Sequence, residues 1–233
     1  SKRTGGILFE ILEPATDEPT IFSDILIEEN VINNNSFGGI ITKQWKGDDN
    51  TGVHWASREE GKGRKEENYF CKNWNPHTNI TVRDNFLSQE NSDYACDTIY
   101  LTSVKDALVE GNVSKEAGTC GIELYYADQV TIQRNEVYLT RAKAGGADSC
   151  GIDPDKATTN ILVQYNYVHD TGDGILLCGF VFGTSVVRYN VIKDAKKRYI
   201  NPHGDQGVNY IYNNILYNTI ENSKVPFVES SGG

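Results

Sequence analysis

Methionine is missing from all 233 residues, an initiator included. The chain instead starts on Ser1-Lys2-Arg3 ahead of the strand-like Ile7-Leu8-Phe9-Glu10-Ile11, which reads as a piece of a larger precursor. Basic residues are also scarce. Lys and Arg total 22 against 32 Asp and Glu, a formal charge of −10. That charge repels a phosphate backbone and an anionic membrane surface alike, so nucleic acid is not an expected partner. There is no apolar run of about 18 residues to span a membrane, nor the charged-then-apolar start of a signal peptide. The cysteines are five, Cys71, Cys96, Cys120, Cys150 and Cys178, an odd number with no Cys-x-x-Cys pair. Neither a zinc ribbon nor a complete disulfide framework follows, and buried thiols are the expectation.

What the sequence does have is a repeat. Alternating apolar residues ending in Asn recur as Ile25-Leu-Ile-Glu-Glu-Asn30, Ile80-Thr-Val-Arg-Asp-Asn85, Ala107-Leu-Val-Glu-Gly-Asn112 and Val130-Thr-Ile-Gln-Arg-Asn135. Ile161-Leu-Val-Gln-Tyr-Asn166, Ser185-Val-Val-Arg-Tyr-Asn190 and Asn209-Tyr-Ile-Tyr-Asn-Asn214 continue it, with Asn-to-Asn steps of 55, 27, 23, 31, 24 and 24. A short strand follows each Asn, and about ten residues after it comes another, often opened by Gly-Ile, as at Gly121-Ile122, Gly151-Ile152 and Gly174-Ile175. Period-two alternation of β-branched residues, punctuated by Asn and Gly, excludes helix. Three strands per step, stacked parallel at about 4.8 Å per coil, bury one apolar core inside a tube. The expected fold is therefore all-β, a right-handed parallel β-helix of about seven to nine coils. It forms a single domain over 1–233 with an inserted loop at about 45–78. The Asn is expected to occupy the left-handed corner between strands, with its amides stacked in a ladder.

From these corners and the Gly-Ile strands, the chain resembles the pectate-lyase-like right-handed β-helix proteins over roughly residues 22 to 220. The scaffold hosts lyases, hydrolases, esterases and adhesins, so function has to come from the site.

If the Gly-Ile isoleucines point inward, residues one and three positions later stack outward in columns. These columns read Ile41 and Lys43, Tyr100 and Thr102, Glu123 and Tyr125, Asp153 and Asp155, Leu176 and Cys178, Asn201 and His203. Glu123 and Asp153 fall on adjacent coils roughly 5 Å apart, and Asp153 and Asp155 on one strand about 7 Å apart. Crowded carboxyls raise one another's pKa, which makes a general acid near neutral pH, and glycoside hydrolysis needs such a pair. Asp148 enters from an extended loop before the same strand and overhangs the column. The four candidate catalytic acids are thus Asp148, Asp153, Asp155 and Glu123. Tyr100, Tyr125, Asn201 and His203 are the candidate substrate contacts, joined by Trp45, Trp55 and Trp74 of the insertion, whose rings can stack on sugar faces. That insertion also carries His54 and His77, and it could equally fold over its own apolar cluster. His169-Asp170-Thr171-Gly172-Asp173-Gly174 is read as a corner.

A glycosidase on an oligo- or polysaccharide is the leading reading, with no cofactor or metal. A polysaccharide lyase is the second, which would want basic residues or calcium beside a uronate; the columns offer Lys43, with Lys156 beside Asp155. A non-catalytic binding solenoid or adhesin is the third. The acidic coil behind a long loop is similar to β-helix glycosidases of lacto-N-biosidase type. That resemblance implies release of a disaccharide by two aspartates, with the seven-residue spacing of Asp148 and Asp155 as its match. A secreted or cell-surface bacterial setting goes with this, and the rest of the parent chain or a partner subunit is a candidate to complete the site.

Overall fold

The computed structural model describes residues 5–16, 18–45, 55–56, 74–178, 183–203 and 207–230. They contain twenty-one strands and, among the described residues, no helix. The first sheet holds β1 (Gly5–Glu10), β4 (Gly38–Lys43), β7 (Ile99–Thr102), β10 (Ile122–Tyr125), β13 (Ile152–Pro154), β16 (Asp173–Leu177) and β19 (Arg198–Pro202). The second holds β2 (Ser23–Glu28), β5 (His77–Arg83), β8 (Val104–Glu110), β11 (Asp128–Gln133), β14 (Ile161–Gln164), β17 (Thr184–Arg188) and β20 (Val208–Tyr212). The third holds β3 (Val31–Asn33), β6 (Phe86–Ser88), β9 (Val113–Lys115), β12 (Glu136–Tyr138), β15 (Tyr167–His169), β18 (Val191–Lys193) and β21 (Ile215–Tyr217).

Every third strand pairs in parallel, so the chain winds as a β-solenoid with three strands per coil. Complete coils run from β2–β4 to β17–β19, six in all, fewer than the seven to nine expected. The core is the tube's interior. Ile40, Ile99, Ile122, Ile152, Ile175 and Ile200 form one inward column at 0% exposure, facing Leu87, Val137 and Val168 from the third sheet. Branched side chains suit this stack, because each coil must present the same width to the next. Gly121 opens its strand because a Cβ there would strike Val137 and the Gly151 carbonyl.

The corner between second and third sheets corrects one expectation. The left-handed residue is not the Asn but the one before it: Glu29, Asp84, Gly111, Arg134, Tyr165, Tyr189 and Asn213 all have φ between 54° and 67°. In six of the seven corners the Asn side chain closes the turn by donating to the carbonyl two residues back, as Asn85 to Arg83 (2.9 Å) and Asn135 to Gln133 (2.9 Å). The expected ladder is present. Asn30, Asn85, Asn112, Asn135, Asn166, Asn190 and Asn214 pass Nδ2-to-Oδ1 bonds of 2.9 to 3.0 Å along the solenoid. The amide pays for a left-handed backbone costing about 1 kcal/mol in any L-residue, which is why the preceding position can be Glu, Arg or Tyr.

Candidate active site

The outer face of the first sheet carries the site. Parallel register places Tyr100 beside Glu123 and Glu123 beside Asp153, one coil apart each time. Tyr125 follows Thr102, and Leu176 aligns with Asn201. The carboxyl, thiol and aromatic side chains of neighbouring coils are therefore brought together by the winding of one coil onto the next, not by any local motif.

Five acids meet there, one more than the four candidates read from the sequence. Asp97 joins because the residue two before each inward Ile also faces outward, so Asp97, Cys120 and Cys150 make a further column. Stacking the coils at that position would have found it. Asp97 Oδ1 accepts from the Cys120 N–H at 2.9 Å, and its carboxyl shares a hydrogen bond with Glu123. Burial, then the Asp97 and Asp153 charges, push Glu123 up to about 11, so it holds a proton at neutral pH. Burial pushes Asp97 up to about 6, against the pull of the Cys120 N–H and the Glu123 hydrogen bond. The pair thus shares one proton, with Glu123 keeping it.

Asp153 is 2% exposed, and its Oδ2 accepts from the Cys120 thiol at 3.4 Å. Burial, followed by the charge of Asp155, raises its pKa well above the carboxylate range. Asp155 is half-buried, its N–H bonded to the Leu124 carbonyl at 3.0 Å. Its carboxyl pKa is also raised, by burial first and by Asp148 among its neighbours, while the Lys156 N–H, the Cys178 thiol and His203 pull it down. Asp148 is exposed on the loop above, close enough for its charge to act on Asp97, Asp153 and Asp155. Of the four sequence candidates, Asp148 and Asp155 reach the surface most readily. Asp153 lies beneath them.

Beside the acids, toward the chain's N-terminal coils, opens a cleft of about 430 Å³. Tyr100, Tyr125, Trp45, Lys43, Glu10 and Glu13 line it. Trp45 stands edge-on to Trp55, ring centres 4.9 Å apart, and Trp55 is 2% exposed. The two readings of the insertion therefore divide between residues: Trp45 walls the cleft, and Trp55 is the apolar backing that holds it. Trp74 is half-buried and does not line the cleft; His54 and Cys71 lie outside the described residues. His77 is no part of the cleft either, being buried in β5 with Nδ1 accepting from the Phe22 N–H at 3.1 Å. Asn201 is buried, bonded to Asp173, whereas His203 is exposed at the far end of the acidic face. His169 sits on the third sheet, stacked between Tyr138 and Tyr167, away from the acids.

A carboxyl that holds a proton beside one that does not, next to an aromatic-walled cleft, can deliver a proton to a glycosidic oxygen and support charge on the sugar ring. The right handed beta helix region family matches residues 99–216. No curated protein matches. Among solved structures, the native GH136 lacto-N-biosidase of Eubacterium ramulus superposes with a TM-score of 0.67 at 20% identity, over 96% of this chain and 36% of that one. Its selenomethionine derivative gives 0.59 at 16% identity, over 91% and 38%. The chain spans little more than a third of the length of these relatives, and at that identity the likeness establishes the fold.

Proposed function

We propose that this chain, which belongs to the right-handed β-helix family, is the site-bearing part of a glycoside hydrolase acting on oligosaccharides at the cell surface or outside it. The observation that carries the reading is exposed Asp148 acting on half-buried Asp155, whose carboxyl pKa is raised by burial first and by the Asp148 charge, on the sheet face that also bears an aromatic cleft. These two carboxyls divide the two tasks of the reaction, proton delivery to the leaving oxygen and attack or charge support at the anomeric carbon. Tyr100, Tyr125 and Trp45 supply flat apolar faces for the sugar rings, and Glu10, Glu13 and Lys43 supply hydrogen bonds to hydroxyls.

The fold likeness to an enzyme named lacto-N-biosidase supports a finer reading, in which a disaccharide is released from the end of a milk-type oligosaccharide. The test is hydrolysis of nitrophenyl glycosides and milk-type oligosaccharides by the full-length protein, beside Asp148→Asn and Asp155→Asn. Sugar release that both variants lose, with fold intact, supports the pair. Unsaturated uronate products from acidic polysaccharides instead would make the protein a lyase, and silence in both assays would leave a binding solenoid.

A further inference from the structure

Beneath the proposed sugar-facing acids lies a group that the hydrolytic reading does not use. Cys120, Cys150 and Asp153, from neighbouring coils of the first sheet, are all buried, and their ligand atoms lie within 4.8 Å of one another. Asp153 Oδ1 has no hydrogen-bond partner among the described residues. The charges that press hardest on this carboxyl are those of Asp155, Asp148 and Asp97, all acidic. An unpartnered carboxylate oxygen buried among like charges is costly, and in proteins that cost is met either by a proton or by a cation.

We propose that Cys120, Cys150 and Asp153 form a binding site for a thiophilic divalent cation, zinc in the first instance, that ties β10 to β13. Donor chemistry selects the metal: two thiolates and one carboxylate suit zinc and disfavour calcium or magnesium, which take oxygen ligands. Geometry agrees. Tetrahedral zinc, with bonds of about 2.3 Å to sulfur and about 2.0 Å to oxygen, sets a sulfur and an oxygen ligand about 3.5 Å apart. Cys120 Sγ and Asp153 Oδ2 are 3.4 Å apart. Binding releases to solvent both thiol protons and the proton that offsets the Asp153 charge when no cation is bound, and the ion's charge of two is then set against two thiolates and the carboxylate. Three protein ligands leave a fourth position for water. The ion would anchor β13, from whose end Asp155 projects, so it positions that residue without touching substrate. The ligands form no motif in the sequence, because only the stacking of coils brings them together.

The experiment is a cobalt titration of the reduced, chelator-stripped full-length protein, followed by thiolate-to-cobalt charge-transfer absorption and by metal analysis after zinc loading. One equivalent per chain is expected, with the band lost in Cys120→Ser and Cys150→Ser and kept in Cys96→Ser and Cys178→Ser. Zinc should also slow alkylation of Cys120 and Cys150 relative to the zinc-free wild-type protein in peptide maps, while half-buried Cys178 reacts as before. That readout stands even if a serine variant fails to fold. Absence of stoichiometric uptake, a band indifferent to both serine variants, a band abolished by Cys178→Ser alone, or a Cys120–Cys150 disulfide in the native protein would each overturn the site. None of these readouts depends on glycosidase activity, so the two proposals fail separately.

Discussion

Glu123 and Asp153 face each other in register across adjacent coils, yet burial and the surrounding charges keep Glu123 protonated, with a pKa pushed up to about 11. A carboxyl that is already neutral resembles an amide in shape and charge. Glu123→Gln should therefore leave stability within about 1 kcal/mol of wild type and retain most activity. Chemical denaturation and a single rate measurement check this, and a large loss of activity would make Glu123 a reacting group.

Asp148 and Asp155 are the residues whose loss should matter for turnover. Each Asn variant is expected to lower kcat/KM on oligosaccharides by about 10²-fold or more without unfolding the chain. On aryl glycosides with good leaving groups one of the two variants should recover most of its rate, because proton delivery is then dispensable. That variant identifies the general acid, and equal losses on both substrates would argue against a division of labour.

Truncating the cleft wall should act on binding. Tyr125→Ala and Trp45→Ala remove the apolar faces presented beside the acids. An increase in KM of about fivefold to tenfold with kcat nearly unchanged is the expected split. A collapse of kcat instead would place these rings at the reacting bond.

The Asn ladder predicts a position-dependent stability series. Asn135→Ala, in the middle, leaves the amide N–H groups and carbonyl on either side without partners in a buried setting. It should cost about 2 to 4 kcal/mol by denaturant melting. Asn214→Ala, on the last rung and more exposed, should cost clearly less.

His77 gives a pH dependence of known sign. Burial lowers its pKa below the usual value of 6.5, outweighing the hydrogen bond to the Lys43 backbone. A folded pKa below the unfolded one means the unfolded chain binds the extra proton. The contribution of His77 to stability is thus complete above about pH 6.5 and is lost as pH falls through the folded value. The melting temperature of His77→Phe, compared with wild type, should rise relative to it as pH drops from 8 to 5; a difference that stays flat would mean His77 is not buried neutral.

The sequence by itself determined the winding. Inward isoleucines at Ile99, Ile122, Ile152 and Ile175 and the recurring Asn are local, periodic demands, since each coil must repeat the width and the corner of the one below. Those demands fix the parallel three-sheet tube and the outward columns that place Glu123 against Asp153. What the tertiary structure decided is how each outward residue is covered. Asp153 and Asp155 read alike in sequence, but one is sealed under thiols and the other stands half-open, because exposure depends on loops and neighbours far away in the chain. Trp45 and Trp55 part company for the same reason. Asp97, Cys120 and Cys150 carry no motif of their own; only the stacking of coils 23 to 33 residues apart turns them into a cluster. The left-handed residue at each corner was likewise decided by the hydrogen bonds of the folded turn, which free that position from any preference for Asn.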